Sequence, residues 1–404
     1  MVTRGLWWLL ACTGGSPDTK DTHAVDTADD TGTTGDSVEV LDDTGGGTTT
    51  DTDADAEYAA FFDDSVVGRV DLELDEEARA ALAVDPETYV RGAFTFDGER
   101  LADVGVRFDG ADALTQTVDG KPSFRIKLRE FDDLQWAGLD RIELHNFESD
   151  ATQMREVLAS QVLRSAGFPA ARANFVEVWL DGESLGLYAN VEVIDDAFLA
   201  RRWDDPSGDL WKAGDAADFT PAGQDDFELV SGYGDTDALD AARRQIQLGE
   251  GPFYDVADQV VDMDGFLDLW AWQVLMANAD GYPFTLDDFY LYADPDDSDR
   301  YSLLAASLDE TWDAGIDVEA TPGTLAVHCR YDDACAALLA EHMVTALAAW
   351  DSADVAGIAA DDVALTELSV NDDPRRTLPA ADVVTARGEL EAFLVTWPET
   401  FRTE

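Results

Sequence analysis

Lysine is nearly absent from this chain, and positive charge of any kind is scarce. The 404 residues carry 26 Lys and Arg against 86 Asp and Glu, a formal net charge of −60 at pH 7. A surface of that sign repels polyanions, which excludes nucleic acid as a partner and anionic lipid as a docking surface. Short catalytic signatures are missing as well. No GxSxG elbow, HExxH pair or Walker loop occurs, so hydrolase, zinc-peptidase and P-loop chemistry have no local support. Only three cysteines and four histidines are available to metal or redox chemistry. What is present suffices for a large fold: 46% hydrophobic and 10% aromatic residues fill one large domain or two ordinary ones. Most of the acidic excess lies in that folded part, as expected of a surface kept soluble at high ionic strength, with cation binding as a secondary use.

The first twelve residues read as an address. Arg4 supplies a positive start, residues 6–10 (LWWLL) a short apolar run, and Leu9-Leu10-Ala11-Cys12 a bacterial lipobox, so Cys12 is the expected lipidation site. The run is too short to cross a bilayer. This predicts an extracytoplasmic protein, at the outer membrane or cell surface, held to the membrane through the lipid alone. Residues 13–56 are mostly Asp, Thr, Gly and Ser and bury too little to offset the entropy of ordering, so they read as a disordered tether ahead of a domain at 57–404. The run DTDAD at 51–55 has the look of a calcium loop but lacks the glycine and distal glutamate, so it is assigned to the tether.

Beyond the tether, period-2 alternation marks strands. Val66–Leu74 is one, followed by a short helix started by Asp75-Glu76-Glu77, where acids favour the helix N-terminus. YVRGAFTF and LADVGVRF flank a turn at Asp97-Gly98, and NFVEVWL and LGLYANVEVI flank another at Asp181-Gly182; both read as hairpins. In SFRIKLREF at 123–131, Phe124, Ile126 and Leu128 share one face and Ser123, Arg125, Lys127 and Arg129 the other. After a strand RIELHNF, the run MREVLASQVLRSAG is a helix closed by Gly167. The second half reads as mainly helical, with a strand pair FYLYA and RYSLLAASLD around the turn DPDDSD. That turn is a possible calcium loop, but a hairpin reversal explains it. In the helix GFLDLWAWQVLMAN, Gly281 is the expected left-handed stop, leaving Asp280 at a sharp turn. The whole is α+β, with a β-rich first part and a mainly helical second part.

The order and wording of VGVRFDG, KPSFRIKLREF, MREVLASQVLRSAGFPAARANFVEVWLDGESLGLYANVEVID and NADGYPFTLDDFYLY resemble the spore-coat protein H (CotH) kinase-like family. The resemblance implies an atypical two-lobed protein-kinase-like fold and ATP- and divalent-metal-dependent (Mg or Mn) transfer of phosphate to Ser or Thr of exported or surface proteins. Phosphoryl transfer needs a cation on the phosphates, carboxylates for metal, and an acid near the attacking hydroxyl. Lys127 matches the lysine of the family's KxSYxIKF-like strand and is the expected phosphate contact, with Arg125 and Lys121 as rivals; a solvated basic strand face is the plainer reading. Glu156, in the first turn of the following helix, stands where a kinase helix glutamate pairs with that lysine, although dipole complementarity alone would place an acid there. Asn278, Asp280 and Gly281 match an NxDG segment whose aspartate is the catalytic base. Asp288 replaces the asparagine that precedes the family's aromatic strand and is an expected metal ligand. ASLDETWDAG matches a PWDxDxxFG pattern, with Asp309 at the second acid as metal ligand and Ser307 in place of the first. That departure, and the scarcity of ATP outside the cytoplasm, support a second reading: a non-catalytic binding or assembly protein on the same scaffold.

The two cysteines left after Cys12, Cys329 and Cys335, are expected to form a disulfide in an oxidising compartment. A zinc site from His328, Cys329, Cys335 and His342 is the alternative, made awkward by adjacent His-Cys ligands.

Overall fold

The computed structural model describes residues 51–110, 117–234 and 236–402. Cys12 and residues 13–50 of the expected tether lie outside the described residues. The expected domain boundary at residue 57 falls inside a helix, α1, Asp51–Phe61. DTDAD is thus neither tether nor calcium loop but its first turn and a half, where acids suit the helix dipole. The aromatic residues at the end of the helix override the polar composition of 51–56. Tyr58, Phe61 and Phe62 are buried, and Phe61 packs edge-on against Phe96 and Trp136 at ring distances of 4.9 and 5.1 Å.

Seven strands then close a barrel: β1 (Gly68–Glu73), β2 (Val90–Phe96), β3 (Glu99–Asp109), β4 (Ser123–Lys127), β5 (Arg141–His145), β6 (Ala173–Leu180) and β7 (Glu183–Val191), in the order β1-β2-β3-β4-β5-β7-β6. The parallel β1–β6 pair closes it. Helix α2 (Glu76–Leu82), capped by Asp75, joins β1 to β2. Both Asp-Gly turns adopt the left-handed pairs that hairpin twist demands, with φ of 47° and 81° at Asp97-Gly98 and 51° and 83° at Asp181-Gly182. The alternation in β4 holds: Phe124, Ile126 and Leu128 are fully buried in the barrel interior with Phe108, Leu144 and Tyr188. Helix α3 (Arg155–Ser165) crosses from β5 to β6 and ends as expected at Gly167, φ +92°.

The second part is not only helices and one strand pair. Two further short strands, β8 (Leu210–Ala213) and β9 (Phe227–Ser231), follow helix α4 (Asp196–Ala200) and join β10 (Phe289–Asp294) and β11 (Arg300–Ala305) in a sheet of order β11-β10-β8-β9. Their sequences, LWKA and FELVS, do not alternate strictly between apolar and polar residues, so periodicity does not declare them. The helices of this part are α5 (Thr236–Leu248), α6 (Phe253–Ala257), α7 (Met263–Leu275), which packs on β11, α8 (Thr324–Tyr331), α9 (Asp333–Ala353), α10 (Val355–Asp372), which packs on α3 and β7, and α11 (Ala380–Thr396), which packs on α10. None of the described helices is long and apolar enough to cross a membrane. The run 294–299 is the reversal between β10 and β11, with Asp294 capping its first turn and Ser298 and Asp299 at positive φ.

Helix α7 stops sooner than its sequence suggested. Ala277, not Gly281, takes the left-handed conformation (φ +45°), and the Asn278 N–H then bonds the Gln273 carbonyl at 2.9 Å. Gly281 serves another purpose: a Cβ there would lie 2.4 Å from Gln273 Nε2, so the loop is pressed onto α7. The barrel is tied to the α10–α11 loop by a buried ion pair, Lys121 Nζ to Asp373 at 2.7 Å. Cys329 of α8 and Cys335 of α9 are buried and joined by a disulfide. The alternative zinc set does not assemble. His328 stacks on Phe253, and His342 hydrogen-bonds Asp268.

Candidate active site

A cleft of about 970 Å³ opens between barrel and sheet, lined by β3, β4 and β5, the first turn of α3, the chain leaving β7, the floor formed by β8, β9 and β10, and the segment after β11. One portion is apolar, with Ala171, Ile194, Val230, Tyr290 and Ala306 belonging to one packed cluster. The rest is ionic.

The barrel side of the ionic portion follows from strand register. Arg107, Arg125 and Glu143 lie opposite one another across β3, β4 and β5. Arg125 bonds Asp109 at 3.1 Å and Glu143 at 2.7 Å. Arg107 pairs with Asp109 at 3.2 Å and Arg141 with Asp195 at 3.6 Å. His145 donates or accepts at Nδ1 with Glu156 of α3, 2.8 Å away. Burial alone would lower the His145 pKa, but Glu156, Glu143 and Asp109 outweigh it and push it up to about 10. Asp109, Glu143 and His145 bring ligating atoms within 4.8 Å of one another. Arg125 bridges the two acids and Glu156 engages the imidazole, so these side chains are joined in one charge network.

The opposite side gathers carboxylates. Asp288 and Asp309 line the cleft, and Asp280 stands just behind Asp288. Burial comes first, then repulsion from Asp280 and Asp287, in raising Asp288 to about 8, while a hydrogen bond from Ser307 opposes the rise. Burial and then Glu156 raise Asp309 to about 7, with His145 opposing. The segments carrying these acids are laced by backbone. Ala279 N–H bonds the Glu310 carbonyl at 3.2 Å, Trp312 N–H that of Met276 at 2.8 Å, and Ala306 N–H that of Asp288 at 3.0 Å. Ala277, Leu286, Asp288, Ser307 and Trp312 all hold positive φ without being glycine, a concentration of backbone strain at one corner of the fold.

Of the residues singled out from sequence, Arg125, Glu156, Asp288 and Asp309 line the cleft, with Ser307 beside them. Asp280 adjoins them through Asp288, its N–H bonded to Asn278 Oδ1 at 3.3 Å. Lys127 does not line the cleft. It points along the same face of β4 as Arg125, but two residues farther on, where it pairs with Glu130 at 3.0 Å. Glu156 accordingly pairs with His145 and not with Lys127. Lys121 is spent on Asp373. Asp109, Glu143, His145 and Lys212 were missed, although the alternation of RIELH already placed Glu143 and His145 on one face.

The sequence matches a known family over much of this fold. A family model described as CotH kinase protein matches residues 106–339, more than half of the chain. The chain belongs to the CotH kinase protein family. Among its relatives is Invasin CotH2 of Rhizopus delemar, 23% identical over 282 residues, covering 64% of this chain and 47% of the relative. Invasin CotH3 of the same organism is 22% identical over 68% of this chain and 48% of its own length. The chain therefore spans about half the length of these curated relatives. Among solved structures, the Shewanella oneidensis MR-1 HipA, HipB and operator DNA complex aligns over 81% of this chain and 79% of that one, at 11% identity and a TM-score of 0.35.

Proposed function

We propose that the cleft binds ATP with Mg or Mn and that the protein transfers phosphate to Ser or Thr of exported or surface proteins. The observation that carries this is the convergence of Asp280, Asp288 and Asp309 beside a cleft that is apolar in one portion and ionic in another. Hard divalent cations take oxygen ligands gathered around one point, and buried, mutually repelling carboxylates form such a donor set. Asp288 and Asp309 are the residues to hold the metal, which would supply charge neutralisation at the phosphates. Arg125 is the strand cation nearest in kind to the one kinases place on phosphates, and Glu156 holds its place through His145. Asp280 takes the role of base, orienting the acceptor hydroxyl. Family membership supports a kinase-like fold for this reading. Export and anchoring through a lipid on Cys12 are part of the same proposal.

One observation favours a second reading, a binding or assembly protein without catalysis. Ser307 stands where the family pattern has an acid, and it spends its hydroxyl on Asp288. Titration of ATP with Mg or Mn, alongside phosphate transfer, separates the two. Asp280→Ala should abolish transfer while leaving nucleotide affinity within about threefold, since a base acts mainly in the transition state. Asp309→Ala should remove the metal-dependent part of the affinity, and Ser307→Asp should raise activity. A wild-type protein that binds nucleotide with neither metal sinks the kinase reading.

A further inference from the structure

Lys212 drew no attention in the sequence because no motif surrounds it, yet its position is unlike that of any other basic group in the cleft. Arg107, Arg125 and Arg141 are each held by carboxylates, and His145 is held by Glu156. An anion reaching those groups must first compete with a carboxylate already in place. Lys212 makes no ion pair among the described residues, is exposed, and lines the cleft from the sheet floor. The neighbours of Lys212 in β8 are buried, so the strand presents this one side chain to the cleft. Glu228, its partner across β9, lines the cleft as well but does not engage it.

Register places Lys212 beside the junction of the two portions of the site. It lies opposite Tyr290 of β10, which packs with Ile194 in the apolar cluster, and Asp288 precedes Tyr290 by two residues. With strands about 4.8 Å apart and about 3.4 Å of rise per residue, the Lys212 and Asp288 Cα atoms are roughly 8 Å apart. A ligand seated over Tyr290 and reaching Asp288 therefore has the lysine at its flank, within reach of a flexible side chain.

We infer that Lys212 is a binding residue of the cleft, contacting a phosphate oxygen of the nucleotide where it crosses from the apolar portion to Asp288. This rests on the nucleotide reading above and assigns to β8 a role the sequence assigned to Lys127. A charge-assisted contact of this kind is worth about a factor of ten or more in affinity. Calorimetric titration of the full chain with ATP and Mg, and separately with adenosine, tests it. Lys212→Ala should weaken ATP about tenfold and leave adenosine within about twofold, Lys212→Arg should restore most of the ATP affinity, and Lys127→Ala should bind ATP within about twofold of wild type. Equal ATP affinity in wild type and Lys212→Ala overturns this inference alone. An equal loss for ATP and adenosine also overturns it, because it assigns the lysine to the fold or to the base rather than to phosphate. If the wild type binds no ATP, this inference falls together with the nucleotide reading.

Discussion

Replacing Asp362 by asparagine is expected to stabilise the protein above neutral pH and to leave it unchanged near pH 4. Asp362 sits on α10 against α3, only 3% exposed, with Oδ1 accepting from Gln161 Nε2 at 3.2 Å and Oδ2 without a hydrogen-bond partner. Arg387 of α11 is near enough to attract it but makes no bond to it; its own Nη2 is also unpartnered. Burial, against the opposing Gln161 bond and with help from Asp64, raises the carboxyl from 3.8 to about 7. Between those two values the folded state holds a proton that the unfolded state has released, so stability must fall as pH rises. The favourable contribution is complete below pH 3.8 and is lost as pH passes through about 7. At about 1.4 kcal/mol per pH unit, the gap amounts to at most about 4 kcal/mol by pH 8. Asparagine keeps the Gln161 contact and never ionises, so it removes this slope. Urea unfolding followed by tryptophan fluorescence, run for both proteins from pH 4 to pH 8.5, should give a stability difference near zero at the acid end and growing through pH 5 to 8. A gain that is the same at every pH, or an asparagine variant less stable at pH 8, refutes the reasoning. Because Gln161 lies on α3, amide protection in that helix, after correction for the intrinsic pH dependence of exchange, should fall in the wild type as pH rises, and less in the variant.

Two further outcomes test the covalent chemistry. Metabolic labelling with a fatty acid should mark the wild type and not Cys12→Ser; equal labelling of both removes the anchor from the account. Non-reducing digestion should yield one peptide pair linking Cys329 to Cys335, and Cys335→Ser should cost about 2 kcal/mol of stability for so short a loop, with two free thiols in the purified protein counting against the bond.

How much of this was legible depended on whether a pattern was local. The Asp-Gly hairpins, the alternation that buries Phe124 and Ile126, and the glycine closing α3 are each set within a few residues, and each stands in the structure as read. Lys127 marks where that logic ends. Period-2 alternation gives the face a side chain shares but not the point along the strand where the cleft begins, and two residues separate Arg125 in the cleft from Lys127 paired with Glu130. The same limit applies to Gly281, where the sequence offered a glycine to stop α7 and the helix stopped four residues earlier at an alanine. Backbone bonds from the 306–313 segment hold that turn in place, and their effect is long-range. Residues 51–56 differ in the opposite direction: their composition argued for disorder, yet they form the start of α1, whose end, with Tyr58, Phe61 and the following Phe62, is buried in the barrel core. The candidate site combines both cases. Asp280 and Asp309 could be matched to a family pattern, and Asp288 to a position where that pattern has asparagine, but the pairings that fix the chemistry of the cleft run between elements that only the fold brings together. Arg125 with Glu143, and His145 with Glu156, depend on β4, β5 and α3 already being folded together. Any reading of this cleft that assigns charge by residue type alone will therefore overcount its free cations. Most of the arginines it would count already face a carboxylate, and among the described residues the cation left to meet a ligand is Lys212, on a strand the sequence did not announce.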